Sequence, residues 1–112
     1  MTDVMLARAR IEPGKADKLR RWYEELQNRE AEVVDTLQYE GVYTESAFIH
    51  SIEGQTYLYG YLEAPDMQAA DDAGDEEAHE ITEQHHDVFD EALRGDWEEL
   101  ECIGDFTNPD RE

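Results

Sequence analysis

Two ionisable residues fall on the apolar faces of two predicted helices, where side chains normally pack against a core. Glu30 stands between Leu26 and Val33 on the apolar face of the first helix, and His85 stands within that of the second. Burial raises the pKa of a carboxyl group and lowers that of an imidazole, whereas their mutual attraction opposes both shifts. A pair balanced in this way titrates near neutral pH, which suits acid–base catalysis. We therefore predict Glu30 and His85 as catalytic residues.

A pocket between the helices and a sheet would hold the substrate of this pair. The strand residues predicted beneath it are small and would leave space for a cavity: Ala7, Ala9 and Gly60. Trp22, Tyr23 and His50 are also expected in the pocket, although strand alternation leaves open which face of the sheet His50 takes. The alternative is structural: a hydrogen bond within the core, with the small residues only allowing the helices to approach the sheet closely.

A row of potential metal ligands follows the flank of the second helix. Its members are spaced by four, three and four residues: His79, Glu83, His86 and Asp90. This spacing places them along one edge of a helix, where imidazole and carboxylate groups could hold a divalent metal. However, a helix with this many carboxylates shows such a row by chance, and the row faces solvent. No metal site is predicted.

The stretch QTYLYGYLEA carries a tyrosine at every second position, namely Tyr57, Tyr59 and Tyr61. In an extended strand their rings share one face, and Arg8 and Arg10 of the first strand are predicted on the same face. Tyrosine and arginine are enriched at the centres of protein interfaces. We predict that this surface, called the tyrosine face below, packs against a second copy of the chain in an isologous homodimer.

The two arginines of the tyrosine face admit three interpretations. Within so acidic a chain, Arg8 and Arg10 could attract an anionic small molecule into the dimer. They could equally stack on the tyrosine rings, or pair with Glu45 across the dimer.

Hydrophobic periodicity and turn residues predict six elements in the order β-α-β-β-α-β. The strands are expected at 3–11, 42–52, 55–64 and 97–106, and the helices at about 15–38 and 67–93, the second with an interruption near Gly74. Two right-handed crossovers around a hairpin at Glu53-Gly54 give an α+β, ferredoxin-like fold, with a four-stranded antiparallel sheet and both helices on one face. Residues 1–112 are expected to form a single domain whose tail frays from about residue 107.

The charge balance sets the expected environment and excludes several classes of partner. Thirty acidic residues stand against nine basic ones, for a formal net charge of −21. Concentrated salt screens the self-repulsion of such a chain, so we predict a halophilic protein of a high-salt cytoplasm. Nucleic acids and anionic membrane surfaces both require basic residues in their partners and are not expected. The single cysteine, Cys102, excludes an intrachain disulfide and is expected to be buried in the core.

The element order, the first strand LARARI, the third strand YLYGYLEA and the long second helix resemble the dimeric α/β-barrel superfamily. More narrowly, the chain is similar to small haloarchaeal proteins of that superfamily that have no assigned function. The superfamily includes cofactor-free monooxygenases, haem-degrading enzymes, sugar mutarotases and stress-response proteins, so the resemblance implies a fold rather than one reaction. In the haem-degrading members a histidine of the second helix binds iron, at a position broadly like that of His85. No local motif supports haem here, and no cofactor is predicted.

Two functions compete on these observations. The first is a small molecule bound or transformed in the helix–sheet pocket, in a monooxygenase- or isomerase-like reaction. The second is a non-catalytic dimeric module that uses the tyrosine face for assembly and has no ligand pocket. The two differ in a checkable way, since only the first requires an accessible cavity beside His85.

Overall fold

A computed structural model of the chain describes residues 2–76 and 78–110. Its elements in chain order are β1 (Asp3–Ile11), α1 (Ala16–Asn28), α2 (Glu30–Glu40), β2 (Thr44–Ile52), β3 (Gln55–Ala64), α3 (Met67–Glu76), α4 (Glu80–Ala92) and β4 (Leu93–Glu99). The strands form one antiparallel sheet in the order β2-β3-β1-β4. This α+β, ferredoxin-like arrangement confirms the fold class predicted from the sequence.

Side-chain alternation divides the sheet into two faces. On the covered face, which lies under the helices, Ile11 and Leu58 join Leu19 of α1 and Ala92 of α4 in the main core cluster. The opposite face is the tyrosine face, where Arg8 of β1 stands beside Tyr59 of β3 in the strand register. The β2–β3 hairpin turns at Glu53 and Gly54, whose positive φ values of 51° and 83° match the twist of a tight hairpin.

The first predicted helix is two helices in the structure, separated at Arg29. This residue has φ −117° and ψ 37°, which end the helical conformation of α1 before α2 begins. Its guanidinium donates to the carboxylates of Glu25 and Glu32, one on each side of the break, at 2.9 and 2.7 Å. It also donates to the side-chain oxygen of Gln84 in α4 at 2.7 Å. A contact with another helix therefore accompanies the break.

The second predicted helix is likewise divided, into α3 and α4. Gly74, where the interruption was expected, lies inside α3, and the break follows Glu76. His79 has an extended conformation, with φ −67° and ψ 141°, directly before α4 begins. Glu77, which the prediction placed inside the helix, lies outside the described residues. In the ranges that are described, no helix is long and apolar enough to cross a membrane.

The last strand begins and ends earlier than its predicted range of 97–106. β4 starts directly after α4 and leaves β1 at Leu100, whose N–H donates to the Leu6 carbonyl at 2.8 Å. Residues 100–110, called the arm below, contain no helix or strand and are all exposed. The predicted burial of Cys102 is therefore wrong, because this cysteine lies in the arm rather than in a covered strand. Residues 111 and 112 of the predicted tail lie outside the described residues.

Candidate active site between the helices and the sheet

A cavity of about 200 Å³ lies between the helices and the covered face of the sheet. Side chains of α1, α2, α4 and β2 line it: Leu26, Val33, Thr36, Glu40, Glu45, Ile81, Thr82, His85 and His86. Glu40, Glu45, Thr82 and His86 also line a wider groove of about 820 Å³ that extends to α3. The cavity therefore borders a groove whose volume is in the range of small-molecule sites.

His85 lines this cavity with its Nδ1 atom already hydrogen bonded. The Trp22 indole N–H donates to Nδ1 at 2.8 Å, and the Phe89 ring packs against the imidazole with its centroid 4.1 Å away. Burial, with a smaller contribution from neighbouring His86, lowers the pKa of His85 to about 4. The ring is therefore neutral at pH 7, and because Nδ1 accepts a hydrogen bond, the proton is on Nε2. At this pH His85 offers the cavity a donor rather than a base.

Strand β2 supplies a carboxylate to the same cavity. Glu45 stands opposite Leu62 in the β2–β3 register, so its side chain is on the covered face together with those of Ala47 and Ile49. It keeps an exposed surface towards the groove, yet burial among the surrounding atoms raises the pKa of its carboxyl group. Among the described residues, no cation forms an ion pair with Glu45.

Tyr23 of α1 lies near both groups, although it does not line the cavity itself. Its ring meets that of His85 edge-on, with the centroids 6.0 Å apart. Burial raises the pKa of Tyr23, and the negative charge of Glu45 raises it further. The phenol therefore stays protonated at neutral pH and adds a second potential donor near the carboxylate.

The structure separates two predicted site residues from His85. Glu30 is the first residue of α2, its side chain is exposed, and it does not line the cavity. The break at Arg29 explains this, because a continuous helical face no longer connects Leu26 to Val33 through Glu30. His50 pairs with Tyr57 and is exposed on the tyrosine face, so it lies on the opposite side of the sheet from His85.

Sequence reasoning missed Glu45 as a cavity residue, and it also missed Glu40, the second carboxylate of the lining. The sequence does contain a signal for Glu45. Strand alternation puts Glu45 on the same face as Ala47 and Ile49, and Phe48 on the opposite face. A lone carboxylate among helix-facing strand positions is as unusual as one in the apolar face of a helix.

The arginines of the tyrosine face make contacts within the chain. The Arg8 guanidinium lies 4.2 Å from the Tyr57 ring centroid and donates to the Tyr59 hydroxyl at 3.3 Å. It also forms an ion pair with Glu98 of β4 at 2.6 Å. Stacking on tyrosine, one of the predicted alternatives, is therefore present, and the carboxylate partner of Arg8 in the single chain is Glu98 rather than Glu45.

The row of potential metal ligands on α4 does not form a cluster in the structure. His79 precedes the helix and contacts the Tyr39 ring, with the centroids 5.8 Å apart. Across residues 2–76 and 78–110, no group of three or more histidine, cysteine, aspartate or glutamate side chains is arranged to hold a metal ion.

Solved structures share this fold at low sequence identity. An L-rhamnose mutarotase from Formosa agariphila matches with a TM-score of 0.63 and 14% identity, over 94% of this chain and 99% of its own. An antibiotic biosynthesis monooxygenase matches with a TM-score of 0.56 and 20% identity, over 93% and 100%. A protein from Fusobacterium nucleatum matches with a TM-score of 0.60 and 14% identity, over 88% of this chain but only 41% of its own. These likenesses show a common fold.

No curated protein matches the chain in sequence. The match to DUF6176, a family of unknown function, covers residues 2–111 and so includes every element described above. The chain belongs to the family of unknown function DUF6176.

Proposed function

We propose that this chain is a small-molecule enzyme that transfers a proton in the helix–sheet cavity. The observation that carries the proposal is that a neutral imidazole donor and a carboxyl group with a raised pKa line the same cavity. Groups whose pKa values are displaced by burial in one concave site are typical of acid–base catalysis. In this proposal Glu45 is the base and the Nε2–H of His85 is the hydrogen-bond donor.

These roles suit a substrate with a carbonyl group or a cyclic hemiacetal. The N–H of His85 would stabilise negative charge that develops on the carbonyl oxygen, as a preorganised donor does in an oxyanion hole. Glu45 would remove a proton from the neighbouring carbon or hydroxyl, and the raised pKa of its carboxyl group makes its carboxylate a stronger base. Return of the proton to another position completes an isomerisation that balances without a cofactor.

The named relatives give this proposal its direction. The structure from Formosa agariphila is an L-rhamnose mutarotase, and mutarotation is a proton-transfer reaction at a hemiacetal. The other named relative is an antibiotic biosynthesis monooxygenase, so a monooxygenase-like reaction is the alternative. We favour the isomerase-like reaction because the cavity residues supply both of the groups that it needs.

We further propose that the working form is a homodimer in a high-salt cytoplasm, joined through the tyrosine face. The net charge of −21 supports the salt requirement, since repulsion of this size is screened only at high ionic strength. The tyrosine face supports the dimer, since Phe48 on it is 57% exposed beside half-buried tyrosines. Such an apolar surface on so acidic a chain is typical of an interface.

Proton exchange with solvent tests the proposed reaction. The chain in concentrated KCl (about 2 M) would be incubated in D₂O with reducing sugars and hydroxy-carbonyl compounds, and NMR would follow deuterium incorporation and anomer interconversion. Melting temperatures measured with the same compounds would identify the best ligand. With that ligand we expect Glu45→Gln to lower the exchange rate by about 10²- to 10⁴-fold.

Glu24→Gln is the matched control, since Glu24 is exposed on α1 outside the cavity and its substitution removes the same charge. Equal rates in the two variants would contradict the role of Glu45. If no compound exchanges faster than in buffer and none raises the melting temperature, the proposal fails in favour of a non-catalytic dimeric module.

A further inference from the structure

The cavity is smaller than most sites that hold a whole substrate. Its volume of about 200 Å³ is below the range of about 300–1,000 Å³ that is typical of small-molecule sites. The wider groove, at about 820 Å³, is within that range. Glu40, Glu45, Thr82 and His86 line both spaces. A molecule whose reactive end lies beside Glu45 in the cavity would therefore continue into the groove.

The groove has an apolar floor where α3 meets the sheet. Val42 and Ala70 are buried there in a second core cluster, and Leu62 and Met67 pack against them. Together with Met5 of β1, these side chains form the apolar part of the groove lining. Such a floor favours a ligand with a hydrocarbon portion over a hydrated inorganic ion, because burial of apolar surface stabilises the complex.

Carboxylates surround this floor. Six acidic residues line the groove: Glu40, Glu45, Asp71, Asp75, Glu83 and Glu99. Among residues 2–76 and 78–110, no lysine or arginine lines it, whereas the crevice between α1 and α4 includes Lys18 and the pocket between α1 and β2 includes Arg20. The groove therefore differs in charge from these two concave surfaces of the same acidic chain.

The carboxylates come from different elements and are spread around the groove. Glu40 ends α2, Asp71 and Asp75 belong to α3, and Glu83 belongs to α4. Oε2 of Glu40 lies 3.9 Å from the position that a Cβ atom on Gly74 would take, so this carboxylate reaches α3. Within the part of the chain that the structure describes, no three acidic, histidine or cysteine side chains are arranged to hold a metal ion. Dispersed carboxylates suit an organic cation, whose several N–H donors point in different directions.

We infer that the substrate of the cavity is a cationic, amine-bearing carbonyl compound, or its cyclic hemiacetal, with its ammonium group in the groove. This inference deepens the proposed function and rests on it for the reactive end, which Glu45 and His85 would hold in the cavity. The hydrocarbon part of the substrate covers the apolar floor. Its ammonium group donates hydrogen bonds to groove carboxylates such as Asp71 and Asp75.

The same charges disfavour anionic substrates. A phosphate or carboxylate at the distal end of the substrate would meet like charges in the groove, with no lysine or arginine of the described lining to bind it. Phosphorylated sugars and sugar acids are therefore expected to be the poorest substrates. Uncharged sugars are expected to be intermediate.

The first test measures binding in the groove without any reaction. Met5 and Met67 are two of the three methionines and both line the groove, so their ¹³C-labelled methyl groups report its occupancy by NMR. The probes are n-hexylamine, hexan-1-ol and hexanoate, which share a chain length and differ in charge. In concentrated KCl (about 2 M), we expect n-hexylamine to shift both methyl signals saturably. It should bind about 3- to 10-fold more tightly than hexan-1-ol, and hexanoate should bind most weakly.

Paired variants separate the groove from the total charge of the chain. Asp71→Asn/Asp75→Asn should weaken binding of n-hexylamine by about 3- to 10-fold and leave hexan-1-ol unaffected. The control Asp35→Asn/Asp90→Asn removes the same charge outside the groove and should leave both affinities unchanged. All four aspartates are exposed, so both variants should remain folded, which circular dichroism verifies. Equal weakening by the two variants, or equal binding of the three probes, would overturn the inference.

The second test follows the reaction itself. The deuterium exchange assay would compare the 6-amino-6-deoxy, unmodified and 6-phosphate forms of D-glucose and of D-galactose, which differ only in the charge far from the reacting carbon. We expect kcat/KM to be highest for the amine and lowest for the phosphate, by about 10-fold or more in total. The difference should lie mainly in KM, because the ammonium group binds equally in the ground state and the transition state. Equal values for the amine and the phosphate would overturn the inference.

The outcomes separate this inference from the proposed reaction. If Glu45→Gln and Glu24→Gln exchange at equal rates while n-hexylamine still binds beside Met5 and Met67, the reaction fails and the groove remains an amine site. If Glu45→Gln loses activity but the differently charged sugars react equally, the reaction stands and the inference fails. If n-hexylamine shifts neither methyl signal, the inference fails whatever the exchange rates are.

Discussion

Ionisable groups on the two faces of the sheet have opposite surroundings: burial without a countercharge on one face, and pairing with a countercharge on the other. On the covered face, burial disfavours the charged forms of His85 and Glu45. The pKa of His85 is therefore lowered and that of Glu45 is raised. On the tyrosine face, Arg8 keeps its charge, because Tyr59 and Glu98 accept its hydrogen bonds and hold its pKa above the usual range. Burial without a countercharge produces groups able to exchange protons, whereas pairing with a countercharge produces a fixed structural contact.

The proposed function gives the two faces separate tasks. The covered face has space beside its perturbed groups, and space is what a substrate needs. The tyrosine face has apolar rings and a satisfied arginine, which are suited to contact with another protein. The four predictions below test the contrast, beginning with the largest expected effect.

A charge placed on the tyrosine face should strongly weaken the proposed dimer. In Phe48→Asp, a carboxylate would have to be buried between two acidic chains, so we expect the dimer dissociation constant to rise at least about 100-fold. Sedimentation equilibrium in concentrated salt measures this change. Tyr43→Asp adds the same charge at a comparably exposed aromatic residue outside the sheet and should leave the dimer intact. Equal weakening by both variants would mean that total charge, not the face, controls association.

Acid should lower the free energy of unfolding through protonation of His85 on the covered face. Its pKa is about 4 in the folded chain, below the value near 6.5 of an exposed histidine. The unfolded chain therefore binds the additional proton first, so the contribution is complete above pH 6.5 and is lost as the pH falls towards 4. The loss is about 3 kcal/mol in the free energy of unfolding. Urea unfolding at both pH values should show it as a difference between the unmodified chain and His85→Gln, and parallel pH profiles would disprove it.

Removal of the indole N–H donor of Trp22 should change both the stability of the chain and the tautomer of the His85 imidazole. Trp22→Phe leaves Nδ1 of His85 without its 2.8 Å hydrogen bond and should cost about 1–2 kcal/mol of unfolding free energy. The variant should also change the tautomer populations of His85, which ¹⁵N chemical shifts report. A purely packing role for Trp22 would lower stability but leave those shifts unaltered.

Substitution of Glu45 should have the smallest effect on stability, and its sign is opposite to that of most mutations. Because the pKa of this carboxyl group is raised on folding, its ionised form destabilises the folded chain above the ordinary pKa of glutamate, and acid relieves that cost. Glu45→Gln should therefore raise the melting temperature at pH 7 slightly more than the charge-matched Glu24→Gln. A lower melting temperature for Glu45→Gln would indicate a stabilising partner for this carboxylate.

Local rules predicted the parts of the fold that local chemistry determines. Alternation alone placed Tyr57 and Tyr59 on one face, and the Glu53-Gly54 pair supplied the positive φ values of the hairpin. His85 was found in the sequence because an imidazole interrupts an apolar helical face, and that face does border the cavity.

The structure differs from the prediction where contacts between elements distant in sequence determine the fold. The break at Arg29 is held in part by Gln84, fifty-five residues away, which no helical periodicity reveals. Its consequence is that Glu30 is exposed and does not line the cavity, whose carboxylates are Glu40 of α2 and Glu45 of β2. Cys102 has the pattern of a strand residue, but it follows the point where β4 leaves β1 and is exposed.

The contact between Trp22 and His85 also makes tryptophan fluorescence a probe of the cavity. An indole that donates to a neutral imidazole should lose emission intensity when that imidazole gains a proton, and its spectrum should shift when a ligand displaces water nearby. The ring centroid of the other tryptophan, Trp97, lies 6.0 Å from that of Phe89. Replacing Trp97 with phenylalanine would isolate the emission of Trp22. Fluorescence of the unlabelled protein should then follow both the titration of His85 and the filling of the cavity.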